Sequence, residues 1–137
     1  VITNILSNAI DACSGVGEVT VQCIKLPRQR ATRQYGDKLL LGLDETILEA
    51  NIADTGKGID PESLPRVFAP FYTTKNGGTG LGLAMARKIV TAHGGEILAS
   101  NNPDRGARFT LLLPVRIDPT TSATTRECRT GRVIDEV

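Results

Sequence analysis

The hydrophobic pattern predicts two helices. In the first fourteen residues, apolar side chains recur at helical spacing as one stripe, formed by Ile2, Ile5, Leu6, Ala9, Ile10 and Cys13. Gly15 and Gly17 are expected to end this helix. A second stripe runs from residue 81 to 93 and contains Leu81, Ala84, Met85, Ile89 and Ala92. Gly94 and Gly95 follow it as a C-terminal stop.

Four other segments alternate apolar and polar residues and predict strands at 18–26, 46–53, 96–100 and 107–113. Residues 27–44 are basic at first and irregular, which indicates a solvated connection between the first two strands. One helical turn is predicted at 61–64, with Asp60 as its cap and Pro61 at its first position.

This order of elements predicts an α+β domain at residues 1–114. We expect a two-layer α/β sandwich in which helices cover one face of a mixed, mostly antiparallel sheet. Residues 115–137 hold five threonines, scattered charges and little periodicity, so we expect a disordered tail or linker there.

The composition and net charge of the chain indicate which classes of partner to expect. The chain of 137 residues has a net charge of +1 and few aromatic residues, so neither nucleic acid nor direct membrane contact is expected. Three cysteines without a CxxC pair argue against disulfides and zinc and favour a reducing, cytoplasmic setting. Because the first residues read as the middle of a helix, we expect further chain upstream. Whether the parent protein is anchored in a membrane stays open.

Asn4 and Asn8 lie four residues apart and share one side of the first helix, with Asp11 close to the same line. Their oxygens could hold Mg²⁺ while the ion bridges phosphates. A polar, solvent-facing helix side is the simpler interpretation, and this feature alone favours it.

The segment 54–59, Asp-Thr-Gly-Lys-Gly-Ile, ends the second strand. Asp54 could accept a hydrogen bond from an exocyclic amine such as that of adenine, and the glycines would let a ring approach the backbone. A plain turn explains the same residues.

Glycines 77, 78, 80 and 82 open the second predicted helix. Free N–H groups at a helix N-terminus bind anions, so a phosphate site is favoured over a flexible hinge. The segment lacks the lysine of a P-loop and the third glycine of a dinucleotide fingerprint. Lys75 could reach a terminal phosphate or remain solvated.

Aromatic residues 68, 71 and 72 are expected to anchor the adjacent loop. His93 ends the second helix, where its side chain can interact favourably with the helix dipole.

Together these segments resemble the catalytic domain of histidine kinases, which shares a Bergerat-type ATPase fold with DNA gyrase, MutL and a heat-shock chaperone. Residues 4–12 resemble the N box, 54–59 the first glycine box, 68–75 the F box and 78–83 the second glycine box. The short lid between Lys75 and Gly78, the preceding segment 71–75 and Asp11 are similar to those of the NtrB-like group of these kinases.

The resemblance implies roles for individual residues. Asn8 would ligate Mg²⁺ with support from Asn4, and Asp54 would bind the adenine amine of ATP. Lys75 would sit in the lid and, with Asn8, act in catalysis. The other implied nucleotide-binding residues are Asp11, Gly56, Gly58, Ile59, Thr74, Thr79, Gly80, Leu81, Gly82, Leu83 and Thr110.

Asn4 separates the branches of this family. The related ATPases carry a glutamate there as general base, whereas an amide cannot accept a proton. Transfer to a histidine is therefore expected, on a dimerisation domain of the same homodimeric kinase, followed by relay to the receiver domain of a response regulator. An ATPase and an anti-sigma-type serine kinase remain the alternatives.

Overall fold

The computed structural model describes residues 1–36 and 46–115, together with the backbone of 131–134. Its elements are α1 (Ile2–Cys13), β1 (Glu18–Pro27), α2 (Arg28–Tyr35), β2 (Thr46–Asp54), a 3₁₀ helix (Leu64–Arg66), α3 (Gly82–Ala92), β3 (Glu96–Asn101), β4 (Ala107–Val115) and β5 (Gly131–Ile134).

The five strands form one sheet in the order β3-β4-β2-β1-β5, and every neighbouring pair is antiparallel. The expected α+β sandwich is confirmed, but the prediction of a mixed sheet is wrong. The register places Asp54 opposite Val19 and Asn101 opposite Ala107. As a result, the end of β2, the end of β3 and the start of β4 lie at the same end of the sheet.

Helices α1 and α3 pack on one face of the sheet. Their buried residues Ile5, Ala9, Ala86 and Val90 join the strand residues Val19, Ala50, Ile52, Ile97, Ala107, Phe109 and Leu111 in the main core. The stripe predicted for α1 faces the sheet through Ile5 and Ala9, whereas Ile2 and Ile10 are exposed. The stripe predicted for α3 is wrong, because Met85 and Ile89 are exposed and the neighbouring residues Ala86 and Val90 face the sheet instead.

Helix α2 covers part of the opposite face and was missed by the sequence analysis. Ala31 packs there with Ile47 and Leu112, so helices lie on both faces rather than one. This helix contains three arginines and few apolar residues, so its sequence has no apolar stripe from which a helix could be predicted. Residues 37–45, the rest of the predicted connection, lie outside the described residues.

The segment expected to be a disordered tail contributes β5, which pairs antiparallel with β1. The prediction is wrong for these four residues, whose backbone completes the sheet edge. Residues 116–130 and 135–137 lie outside the described part of the chain. Within the described part, no helix combines the length and apolar character that crossing a membrane requires.

Candidate functional site

An open cleft of about 590 Å³ lies between α1, the loop that follows β2, and the segment that leads into α3. This volume falls within the usual range for small-molecule sites, roughly 300–1,000 Å³. The predicted site residues that line it are Asn4, Asn8, Asp54, Gly58, Ile59, Thr74, Lys75, Thr79, Gly80, Gly82 and Leu83. The cleft therefore gathers residues from all the motifs that sequence analysis selected.

Asp54 forms the buried end of the cleft, with 3% of its surface exposed. Its Oδ1 accepts hydrogen bonds from the backbone N–H of Gly56, at 2.9 Å, and of Ala107, at 3.2 Å. Both bonds use the same oxygen, which leaves Oδ2 to accept a donor from a ligand. A carboxylate held in this way can recognise an amine strongly, because charge-assisted hydrogen bonds are the stronger kind.

The turn between β3 and β4 holds the loop that follows Asp54. Asn101 Oδ1 accepts from the Ile59 N–H at 2.8 Å, and Asn101 Nδ2 donates to the Ile59 carbonyl at 2.6 Å. Asn102 Nδ2 donates to the Asp54 carbonyl at 2.9 Å, and Arg105 Nε donates to the Gly56 carbonyl at 3.2 Å. We call Asn101, Asn102 and Arg105 the turn clamp. None of these three residues was predicted to belong to the site.

Two glycines allow close backbone approach behind Asp54. A Cβ on Gly106 would lie 1.9 Å from the Asp54 carbonyl oxygen, and one on Gly56 would lie 2.5 Å from the Ala12 carbonyl oxygen. Gly56 does not line the cleft. It lets α1 pack against the loop, so its role is to position Asp54 rather than to contact a ligand.

The other end of the cleft is the start of α3. The first N–H groups of a helix have no carbonyl within the helix to bond, and those of Gly82 and Leu83 lie at the cleft wall. Asn4 Nδ2 donates to the Gly82 carbonyl at 3.2 Å, which ties α1 to this helix start. The arrangement offers an anion a set of donors together with the positive end of the helix dipole.

Gly80 shapes the approach to that helix. Its φ of 66° is left-handed, and a Cβ there would lie 2.3 Å from the Phe71 carbonyl carbon. The Phe71 N–H donates to the Gly80 carbonyl at 2.9 Å, so the F-box segment and the glycine loop are directly joined.

Lys75 reaches across the cleft to α1. Its Nζ donates to Asn8 Oδ1 at 2.8 Å and to Asp11 Oδ2 at 2.5 Å. One amide oxygen and one carboxylate oxygen thus already hold a cationic group. The same oxygens suit Mg²⁺, which uses one or two carboxylates besides nucleotide phosphates and water.

Four predicted site residues do not line the cleft. Gly56 acts behind it, and Asp11 faces Lys75. Leu81 has an exposed side chain, and its N–H donates to Thr79 Oγ1 at 3.4 Å. The prediction for Thr110 is wrong: alternation along β4 turns it to the opposite face from Phe109, where it donates to Asn51 Oδ1 at 2.6 Å.

The cleft also contains residues that were not predicted for the site, and these include Ser7, Ser63, Val67, Tyr72, Ala107 and Phe109. Alternation predicts the strand that contains Phe109, but it does not say which face of a sheet meets the cleft. The loop anchor is confirmed for two aromatics. Phe68 packs edge-on against Phe109, and Tyr72 donates to Ser63 Oγ at 2.6 Å. Phe71 is 76% exposed and anchors nothing with its ring.

Comparison with known proteins agrees with this geometry. Residues 1–117 match the family described as "Histidine kinase-, DNA gyrase B-, and HSP90-like ATPase". The signal transduction histidine-protein kinase AtoS of Escherichia coli K12 is 41% identical over 115 residues, which are 84% of this chain and 16% of AtoS. The chain spans about a sixth to a fifth of the length of most of the curated relatives that it matches.

Two solved structures have the same fold. The mycobacterial sensor histidine kinase MprB aligns with a TM-score of 0.62 and 27% identity over 82% of this chain and 66% of that one. Full-length ShkA in complex with AMPPNP aligns with a TM-score of 0.61 and 26% identity over 82% of this chain and 20% of that one. With the boxes lining one cleft in this fold, the chain belongs to the family of histidine kinase-, DNA gyrase B- and HSP90-like ATPases.

Proposed function

We propose that this domain binds Mg²⁺·ATP in the cleft and supplies its γ-phosphoryl group to a histidine on a dimerisation domain of the same homodimeric kinase. A response regulator would then receive the phosphoryl group. The observation that carries the proposal is a single cleft bordered by Asp54 at one end and by Asn8, Lys75 and the start of α3 at the other.

The two ends of the cleft suit the two ends of the nucleotide. Asp54 Oδ2 would accept the adenine amine, and Gly58 would let the ring approach the backbone. The N–H groups of Gly82 and Leu83 would receive phosphate oxygens. Phosphoryl transfer depends mainly on such positioning and on charge neutralisation.

Asn8 Oδ1 and Asp11 Oδ2 are the protein oxygens that fit a magnesium ion, since a cationic group already lies between them. When bound, the ion would neutralise charge on the phosphates. Lys75 could then add its positive charge from the lid.

Asn4 supports transfer to a protein rather than hydrolysis. It cannot take a proton from water, and its Nδ2 is occupied by the Gly82 carbonyl. His93 does not fit the acceptor role, because it ends α3 within the nucleotide-binding domain itself. The acceptor is therefore proposed on another domain, as the likeness to AtoS also supports. Dependence on ATP supports a cytoplasmic location, and Asp11 with the short lid supports the NtrB-like group.

The test supplies the chain with radiolabelled ATP and a dimerisation domain that carries the phosphoacceptor histidine. We expect acid-labile label on that domain and its loss in Asn8→Ala. Gln22→Ala is the matched control, because it removes an exposed amide on β1 outside the cleft. Acid-stable label would instead indicate a serine kinase, and rapid release of phosphate without labelling would indicate an ATPase.

A further inference from the structure

A cation already lies where the nucleotide's metal is proposed to bind. The Lys75 ammonium contacts Asn8 Oδ1 and Asp11 Oδ2, which come from successive turns of α1. These two oxygens belong to the amide and carboxylate class that hard divalent cations prefer. Lys75 itself belongs to another part of the chain, 64 residues from Asp11. The contact is thus a cation bridge between α1 and the lid, residues 73–80.

We infer that Lys75 is the resident cation of a site formed by Asn8 and Asp11, and that a divalent cation must displace it when the nucleotide binds. The inference rests on the proposed function and adds an exchange step to it. An ammonium 2.8 Å from Asn8 Oδ1 would compete with a metal ion that binds the same oxygen at roughly 2.0–2.1 Å, because the two cations would lie side by side. The two positive charges would also repel each other.

Displacing Lys75 releases the lid from α1. The Lys75 backbone is fixed in a turn, with its N–H bonded to Thr73 Oγ1 at 3.1 Å and its carbonyl bonded to the Gly78 N–H at 3.2 Å. Among the described residues, Lys75 makes the only hydrogen bonds and ion pair between the lid and α1. Binding of the metal and release of the lid are therefore one event.

The exposure of the pair makes the exchange easy. The side chains of Lys75 and Asp11 are 45% and 54% exposed, and exposed ion pairs contribute little free energy because water screens them. Asp11 is the residue that makes the site anionic. Without its charge, neither Lys75 nor a metal ion would be held firmly at Asn8.

The test measures Mn²⁺ binding to the nucleotide-free chain from the loss of the free-ion electron paramagnetic resonance signal. Lys75→Met removes the resident cation. Lys57→Met is the matched control, because Lys57 also lines the cleft but makes no hydrogen bond or ion pair with Asn8 or Asp11. Asp11→Asn removes the anionic half of the site. Circular dichroism establishes that each variant is folded.

We expect Lys75→Met to bind Mn²⁺ about threefold to fivefold more tightly than the parent, as removal of an exposed competitor would give. Lys57→Met should change the affinity less, and Asp11→Asn should weaken it. Equal affinity in the two lysine variants, or no binding in Lys75→Met, would overturn the inference. A fluorescent ATP analogue tests the proposed function separately: if it fails to bind with Mg²⁺, the proposed function fails, whatever Mn²⁺ does.

Hydrogen exchange gives a second readout. In the parent, Mn²⁺ without nucleotide should speed exchange at the amides of residues 75–80, because the ion takes the place of Lys75. In Lys75→Met, these amides should exchange fast from the start and respond little to the ion. Equal responses in both proteins would contradict a link between the ion and the lid.

Discussion

The two ends of the cleft are built in opposite ways. At one end, which we call the adenine end after its proposed ligand, Asp54 is almost fully buried, and its Oδ1 is bonded to two backbone N–H groups. At the other end, which we call the phosphate end for the same reason, Lys75 is held by two side-chain contacts on an exposed surface. The base would therefore meet a preformed pocket, whereas the phosphates and their metal would meet groups that can still rearrange.

The difference follows from which elements form each end. Asp54 closes a central strand, and the turn clamp braces its loop from the neighbouring hairpin. The lid has no strand partner and includes two glycines with positive φ, Gly77 and Gly80. In the proposed function, release of product and access of another domain to the phosphoryl group would need mobility at the phosphate end only.

The largest effect is expected from Asp54→Asn. The new amide keeps an oxygen for the Gly56 and Ala107 N–H groups, so the fold should persist, but it replaces Oδ2 with a donor that faces the adenine amine. Loss of a charge-assisted hydrogen bond should weaken binding of a fluorescent ATP analogue roughly tenfold to a hundredfold. Unchanged affinity would show that this carboxylate does not recognise the base.

Gly80→Ala should damage the phosphate end alone. A Cβ there meets the Phe71 backbone, so phosphoryl transfer should fall roughly tenfold or more, since left-handed strain costs about 1–2 kcal/mol before the clash is added. Gly77→Ala is the control, because Gly77 also has a positive φ but has open space around it. Adenosine binding, measured by calorimetry, should change little in either variant. Equal rates of phosphoryl transfer in both variants would show that the contact between Gly80 and the Phe71 backbone does not matter for transfer.

Asn101→Ala should loosen the preformed end. It removes both hydrogen bonds to Ile59, and each is worth about 0.5–1.5 kcal/mol net. We expect a severalfold loss of ATP-analogue affinity and a smaller ratio of ATP to GTP affinity, because the backbone beside the base is no longer fixed. An unchanged ratio of ATP to GTP affinity would show that the preformed end does not depend on these two hydrogen bonds.

Tyr35→Phe lies away from both ends and gives the smallest effect. Burial, helped by nearby Glu49, raises the pKa of Tyr35 from 10.0 to about 12. The neutral phenol is thus favoured in the folded state, and its contribution to stability is present below pH 10 and is lost as the pH rises toward 12. Between pH 8 and pH 10.5, the free energy of unfolding measured with urea should fall less for Tyr35→Phe than for the parent. An equal loss would rule out this titration as the cause.

Sequence alone was enough for the features that depend on local pattern. Both helices and the strand alternation are present in the structure, although the face of the second helix was predicted wrongly. Asp60 Oδ1 accepts from the Glu62 N–H at 3.0 Å, but the 3₁₀ helix begins at Leu64, later than the predicted turn at 61–64. The motifs also identified most of the residues that line the cleft. Long-range geometry was less accessible: the face on which Thr110 lies and the hydrogen bonds of Asn101 depend on how distant strands pair. Helix α2 was missed because its burial depends on one alanine rather than a stripe.

The most direct measurement is a crystal structure of this chain with Mg²⁺ and a non-hydrolysable ATP analogue. The account predicts adenine within hydrogen-bond distance of Asp54 Oδ2, phosphate oxygens on the N–H groups of Gly82 and Leu83, and Lys75 Nζ away from Asn8. A nucleotide bound elsewhere, or bound with its base at the α3 end and its phosphates beside Asp54, would contradict it.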